Sequence, residues 1–156
     1  MSQLHYEGNF TVPKKMNQTL ALMTDPQTLF NLIPGVERIE IVNGKLKVKF
    51  RLDLEKMGVT DTGGYLSTVS SVMLFEYSLE GQNLSVRGKG KSAGSSISTD
   101  ISVILSEYQG GTKLDWKAEV DTGLILKMLG EHRVSTAAGM IISSIIDSFR
   151  LTLLSP

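Results

Sequence analysis

The sequence contains no cysteine, and this absence excludes disulfide bonds, thiol nucleophiles and zinc sites built from thiolates. Histidine is nearly absent as well. Only His5 and His132 occur, and neither has a metal-binding spacing such as H-E-x-x-H. The order of Ser, His and Asp residues matches no catalytic triad, and no nucleophile elbow is recognisable. The sequence therefore offers no metal site and no familiar catalytic motif.

An excess of charge of one sign is also missing. Lys plus Arg and Asp plus Glu each number 16, so the formal net charge at neutral pH is zero. A dedicated nucleic-acid-binding domain is normally basic overall or on one face, which argues against that class. The first residues lack the pattern of a signal peptide, and Asp147 and Arg150 interrupt the apolar tract near the C-terminus. We expect a soluble, cytoplasmic protein, with peripheral contact to a membrane as the alternative.

The length of 156 residues suits one domain of ordinary size. A chain of this length buries roughly 70% of the surface that it exposes when unfolded, which is enough for a core without cross-links. We therefore expect a single domain spanning residues 1–156.

Alternating polar and apolar residues in the middle of the chain predict an antiparallel sheet. Residues 45–54 show the pattern most plainly, because charged residues alternate there with Leu46, Val48 and Phe50. Short turns separate the later segments, which indicates a meander. The predicted strands are residues 4–12, 38–41, 45–54, 65–79, 84–91, 96–108 and 112–122.

Helical patterns occur in three places. The first is predicted for residues 13–23, and the second begins at Pro26 behind the capping residue Asp25. Residues 123–154 form the only candidate for a long helix, since apolar residues recur there every three or four positions. Two glycines mark positions where this helix can bend: Gly130 and Gly139.

The stretch from Asp25 to Gly44, DPQTLFNLIPGVERIEIVNG, combines several of these signals. Pro34 and Gly35 end the second helix, a short strand follows, and Asn43-Gly44 is a strong signal for a type I′ hairpin turn. The run "DP…LF…IPGVE.IE…NGKLKV" resembles the family of the carbon monoxide dehydrogenase G subunit. That family belongs to the START-like, or helix-grip, superfamily of hydrophobic-ligand-binding domains.

The resemblance covers nearly the whole chain and implies a particular α+β architecture. In the helix-grip fold, a curved antiparallel sheet of seven strands wraps around a long C-terminal helix. Two short helices follow the first strand, and a cavity lies between the sheet and the long helix.

The resemblance also implies an accessory role beside a molybdenum-containing carbon monoxide dehydrogenase or a related hydroxylase. Roles proposed in the family are maturation, recruitment of the enzyme to the membrane, and handling of a quinone. Many members carry a C-terminal linker and an apolar tail, whereas this sequence ends at Pro156, so we expect no stable membrane anchor. The expected ligand is a hydrophobic or amphipathic small molecule such as a quinone or a lipid, with no cofactor and no nucleic acid.

Apolar residues on the predicted inner faces are the candidate lining of the cavity, because ligand sites are concave and mostly apolar. The alternative is that these residues only pack the core. Phe30, Ile33 and Pro34 are predicted to lie at the cavity mouth, where the Pro-Gly corner would act as a gate. The candidate lining consists of Phe30, Ile33, Phe50, Leu52, Met73, Phe75, Trp116, Met128, Met140, Ile141 and Ile145.

Two glycines share an apolar strand face in residues 84–91. The missing side chains of Gly88 and Gly90 mark either a bend or room for a ligand.

Two other functions remain open. Cyclases and hydrolases occur in the same superfamily, and an enzyme of this kind would use polar groups in the same cavity. The groups to suspect would be Tyr65, Tyr77, His132 and Arg133. Alternatively, a basic sheet face would bind an acidic partner or anionic lipid, although ordinary solvated strands look the same. The basic residues are Lys45, Lys47, Lys49 and Arg51 on one strand, and Arg87, Lys89 and Lys91 on another.

Overall fold

The computed structural model describes residues 3–53, 68–92 and 94–154. Seven strands form one antiparallel sheet in the order β1-β7-β6-β5-β4-β3-β2. The strands are β1 (Gln3–Val12), β2 (Val36–Val42), β3 (Lys45–Asp53), β4 (Thr68–Glu80), β5 (Asn83–Ser92), β6 (Ser95–Tyr108) and β7 (Gly111–Asp121). The helices are α1 (Met16–Met23), α2 (Pro26–Phe30), α3 (Leu124–Leu129) and α4 (Glu131–Leu154). This arrangement confirms the predicted α+β fold, with two short helices after the first strand and a long C-terminal helix.

The strands follow the alternation in the sequence. In β3, Leu46, Val48 and Phe50 are buried on one face, while the lysines between them are exposed. Asn43 and Gly44 connect β2 to β3 with φ values of 51° and 77°, which is the positive-φ pair that a type I′ turn requires. The local sequence therefore determines which face of β3 is buried and where the hairpin of β2 and β3 turns. Residues 54 and 65–67, which belong to predicted strands, lie outside the described residues.

The sequence predicts the start of α2 but not its end, because the helix ends at Phe30 and not at Pro34. Asp25 caps α2 as predicted: its carboxylate accepts hydrogen bonds from the Thr28 backbone N (3.4 Å) and from the Thr28 hydroxyl (2.6 Å). The prediction that α1 begins at Pro13 is wrong, because the helix begins at Met16. The carbonyl of Lys14 accepts a hydrogen bond from the Thr112 hydroxyl on β7 (2.8 Å), so the chain remains attached to the sheet beyond Pro13.

The predicted long helix is divided in two at Gly130. This residue has φ of 85°, a left-handed conformation that an α-helix cannot contain, so α3 ends before it and α4 starts after it. Gly139 lies inside α4 without a break. The first of the two predicted bends is therefore confirmed and the second is absent.

Both ends of α4 are packed into the core. Val134 near its start is 8% exposed, and Phe149 near its end is 3% exposed. The Phe149 ring meets Phe10 on β1 edge to face, with 6.0 Å between ring centroids. The Arg150 guanidinium lies over the same Phe10 ring, 5.3 Å from its centroid. These contacts attach the helix to the sheet at its two ends.

Glycines on the inner face of the sheet make space for aromatic rings. A Cβ at Gly88 would lie 2.6 Å from the Phe75 ring, and a Cβ at Gly8 would lie 2.8 Å from the Trp116 indole. The space at Gly88 is therefore filled by Phe75 and not left for a ligand. At Gly90 a Cβ would collide with the backbone carbonyl of Val72, so this glycine permits a close approach of two strands.

Candidate functional site

The candidate site is the space beneath the middle of α4. Ile141 and Ile145 in the middle turns of the helix remain half-buried, although both pack against the core. Strand β6 lies next to the middle strand β5. On its inner face Ser95 and Leu105 are buried, and the four inner-face residues between them are half-buried. They are Ile97, Thr99, Ile101 and Val103.

This exposure is unusual for its place in the fold. Residues between the centre of a sheet and its covering helix normally form the driest part of a two-layer domain. Here Val134 and Phe149 near the ends of α4 are buried, whereas apolar side chains in its middle and on the inner face of β6 are partly accessible to solvent. We call the space beside these side chains the inner cleft. The half-buried residues that we assign to its wall are Ile97, Thr99, Ile101, Val103, Trp116, Ile141 and Ile145.

The structure divides the predicted lining residues into three groups. Five are buried in the core: Phe30, Phe50, Leu52, Met73 and Phe75. Three are half-buried: Trp116, Ile141 and Ile145. Ile33 is half-buried beside the core.

The last two predicted lining residues are methionines of the C-terminal helices. Met140 is 47% exposed, because it lies about 100° around the helix from Ile141 and points away from the sheet. Met140 therefore does not belong to the lining. Met128 belongs to α3, and its side chain lies outside the described part of the structure.

Phe30 does not lie at a cavity mouth. Its side chain is 5% exposed, and its ring packs on Phe75 with 4.7 Å between centroids. The predicted gate residue is thus a core residue of the α2 side of the sheet.

The inner face of the sheet also carries polar atoms without partners. Among the described residues, three buried side-chain atoms make no hydrogen bond: Tyr77 Oη, Trp116 Nε1 and Thr122 Oγ1. An unsatisfied buried donor costs about 1–3 kcal/mol. Trp116 Nε1 is a donor only, so only an acceptor satisfies it. The indole lies against Gly8 on β1, where Nε1 is covered by the backbone.

Tyr77 follows Phe75 on the same face of β4. Burial raises the pKa of its phenol above the usual value of 10.0, and the negative charge of Asp25 contributes in the same direction. The phenol therefore stays protonated at neutral pH and is available as a hydrogen-bond donor.

A further polar contact connects the sheet to α4. The hydroxyl of Tyr6 on β1 lies 3.3 Å from the Ser135 hydroxyl near the start of the helix. The sequence-based prediction did not include these two residues. The alternation of β1 places Tyr6 on the inner face, but its pairing with Ser135 depends on the position of the helix.

Other groups suspected of catalysis do not converge on the inner cleft. His132 is exposed and Arg133 is half-buried near the start of α4. Tyr65 lies outside the described residues. Within the described part of the chain, no group of three or more His, Asp or Glu residues is arranged to hold a metal ion.

Two open clefts lie at the ends of strands. The first has a volume of about 420 Å³ and is lined by Gly35, Val36, Glu37, Arg51, Asp53 and Thr68. The second has a volume of about 270 Å³ and is lined by Lys89, Gly90, Ser96, Ile97, Ser98 and Asp121. Neither contains a predicted lining residue, although Ile97 of the inner cleft also lines the second, and charged side chains contribute to both.

Sequence comparison identifies the family. The profile of CoxG, the G subunit of carbon monoxide dehydrogenase, matches residues 8–154. The chain belongs to the CoxG family. No curated protein matches the sequence.

Solved structures support the same fold for this CoxG-family chain. A conserved protein from Geobacillus kaustophilus superposes with a TM-score of 0.81 at 13% identity, over 96% of this chain and 95% of the other. A START superfamily protein from Mycobacterium smegmatis gives a TM-score of 0.63 at 10% identity, with 96% of each chain covered. Ara h 8.0201 gives 0.65 at 18% identity, with 99% of each chain covered. At these identities the similarity establishes a START-like fold.

One described helix is long and apolar enough to span a membrane by length and composition, from Glu131 to Leu153. This segment is α4, which packs against the sheet at both ends. The covering helix of a sheet passes the same test, so its composition is weak support for a membrane span.

Proposed function

We propose that this CoxG-family chain is a non-catalytic accessory protein that binds a small hydrophobic or amphipathic molecule in the inner cleft. The observation that carries the proposal is the set of half-buried apolar residues on the inner face of β6 and in the middle of α4. Apolar surface left accessible between two layers gains free energy when a ligand covers it, at about 25 cal/mol per Å². The family and the START-like fold support the same conclusion.

The residues of the inner cleft favour an apolar ligand. They lie on β6, β7 and α4, and all except Thr99 and Trp116 are aliphatic. The apolar body of a lipid or a quinone suits such a wall.

Family membership supports a partner for this binding activity. We propose that the chain forms one domain and acts beside carbon monoxide dehydrogenase or a related molybdenum hydroxylase. Its contribution would be maturation, recruitment or quinone handling, in the cytoplasm and at the membrane periphery. An enzyme using the same cleft is less well supported, because Tyr77 is the single inner-face group whose pKa is perturbed among the described residues.

Native mass spectrometry of the purified protein, followed by extraction of lipids and quinones, tests the ligand. We expect a bound apolar molecule that is retained by wild type. Replacing Ile101 with Trp fills the inner cleft and should reduce the bound fraction severalfold. Ile104→Trp is the matched control, because Ile104 lies on the same strand and faces solvent.

Two results would contradict the proposal. The first is protein that stays empty whatever lipid or quinone extract it is exposed to. The second is equal ligand retention by the Ile101 and Ile104 variants, because ligand binding would then not depend on the inner cleft.

A further inference from the structure

The outer face of the sheet carries a basic patch with an apolar centre. Four exposed lysines frame it: Lys47 and Lys49 on β3, and Lys89 and Lys91 on β5. Strand β4 runs between these two strands. The pairing register places Leu74 between Lys47 and Lys89. In the same way, Val72 lies between Lys49 and Lys91. We call these six residues the lysine frame.

The centre of the lysine frame is accessible. Leu74 is 41% exposed and Val72 is 39% exposed, although β4 lies well inside the sheet. Apolar surface bordered by polar residues is the pattern found in protein interaction sites. An ordinary solvated strand face would carry polar residues at these two positions.

The charge of the lysine frame is only partly offset within the described chain, by Glu76 near Lys89 and by Glu40 opposite Lys47. Nearby acidic residues are already paired with other bases: Glu76 with Lys45, Asp100 with Arg87, and Glu40 with Arg38. Among the described residues, none of the four lysines forms an ion pair. Four like charges around an apolar strip favour an occupant that brings carboxylates to both sides.

The dimensions of the lysine frame match one helix. Strands β3 and β5 are two spacings apart, roughly 10 Å. An α-helix with its side chains is about 10–12 Å wide. A helix lying along β4 would place an apolar stripe on Val72 and Leu74 and acidic side chains beside the lysines.

The rest of the outer face carries more acidic than basic side chains, which argues against a broad anionic surface such as a membrane. Strands β6, β7 and β1 direct five carboxylates and two lysines to this side of the sheet. The carboxylates are Asp100, Asp115, Glu119, Asp121 and Glu7, and the lysines are Lys113 and Lys117. A flat anionic membrane large enough to cover the sheet would meet both halves and be repelled by the second. A narrow occupant meets only the basic half.

We propose that the lysine frame docks an acidic amphipathic helix of a partner protein, with an apolar stripe bordered on both sides by Glu or Asp. The site is on the opposite face of the sheet from the inner cleft. A docked helix therefore leaves ligand exchange unobstructed, and the proposal does not depend on what the cleft binds.

The test uses the full chain and a synthetic helical peptide that has Leu along one face and Glu on both flanks. A second peptide carries Lys in place of Glu. We expect the acidic peptide alone to bind, and its affinity to fall with salt. The double variant Lys47→Glu/Lys89→Glu should bind about tenfold more weakly or worse, because two attractive contacts become repulsive.

Two further variants distinguish binding at the lysine frame from general electrostatic attraction between the peptide and the protein. Leu74→Thr introduces a β-branched residue that suits the strand and should weaken binding severalfold, since it removes the apolar centre. Lys15→Glu/Lys127→Glu makes the same change in net charge at positions outside the lysine frame and should leave affinity unchanged.

Several outcomes would overturn the proposal. They are absence of peptide binding, equal loss in the control variant, or unchanged affinity in Leu74→Thr. Flotation with phosphatidylcholine vesicles containing phosphatidylserine tests whether an anionic membrane binds the lysine frame instead. Binding to these vesicles that depends on Lys47 and Lys89 would assign the patch to membranes instead.

Discussion

Replacing Phe30 with Ala is the sharpest test of how the interior is organised. Phe30 closes α2, is 5% exposed, and stacks on Phe75 of β4 with 4.7 Å between ring centroids. Truncating a buried Phe to Ala removes its apolar contacts and leaves a cavity, at a typical cost of about 3–5 kcal/mol. Loss of the aromatic pair accounts for about 0.5–1.5 kcal/mol of that cost. We expect the free energy of unfolding to fall by about 3–5 kcal/mol.

Urea unfolding followed by far-UV circular dichroism measures this change directly. The slope of free energy against urea should stay close to that of wild type, so that the shift in midpoint reports stability. Phe30→Leu keeps most of the apolar volume, so its free energy of unfolding should fall considerably less than that of Phe30→Ala. Leu151→Ala, at a side chain that is 66% exposed, should stay within about 0.5 kcal/mol of wild type.

A loss below about 1 kcal/mol in Phe30→Ala would refute this reasoning, because buried truncations rarely cost so little. It would also restore the hypothesis of a gate at the Pro-Gly corner. In that hypothesis Phe30→Ala changes the rate of ligand exchange while stability is preserved.

Three further predictions concern single positions. Gly88→Ala should lower Tm, because the new Cβ would lie 2.6 Å from the Phe75 ring. Gly139→Ala should raise the free energy of unfolding by about 0.5–1 kcal/mol, because its Cβ would meet nothing within 4 Å and alanine favours the helix. Thermal unfolding measures both changes. Hydrogen bonds from Thr28 hold the pKa of Asp25 below its usual 3.8, so its stabilisation is present above that pH and is lost as pH falls through the lowered pKa. In urea unfolding at several pH values, Asp25→Ala should remove the loss of stability that wild type shows at acidic pH through this group. The same dependence of stability on pH in Asp25→Ala and wild type would count against a stabilising role of the Asp25 cap. Burial raises the pKa of Tyr77, so its contribution to stability is lost as pH rises above about 10. In Tyr77→Phe, the free energy of unfolding should therefore change less with pH in the alkaline range.

Features set by neighbouring residues could be predicted from the sequence. The alternation in β3, the hairpin turn at Asn43 and Gly44, and the cap of α2 at Asp25 all depend on residues close in the chain. The start of α1 could not be predicted, because Pro13 is a favourable helix opener. A hydrogen bond from distant Thr112 to Lys14 keeps the chain on the sheet at that point.

The lining of the site was only partly predictable for a similar reason. Period-two alternation places Trp116 and Phe75 on the inner face, but it does not reveal what lies opposite each ring. Phe75 meets Phe30, while Trp116 lies over Gly8 on the adjacent strand. Whether an inward residue touches another side chain or an accessible cleft depends on the spacing between α4 and the sheet. That spacing is a property of tertiary packing.

The position of β1 has a consequence for the order of folding. Strand β1 pairs with β7 in a register that joins Gln3 to Asp121, so β1 is synthesised well before the strand that it pairs with. The pairings from β2 to β7 each join strands that are consecutive in the sequence, whereas the β1–β7 pairing closes a far longer loop and carries a larger entropic cost. On the ribosome, β1 therefore emerges long before β7. We expect this long-range closure to slow folding.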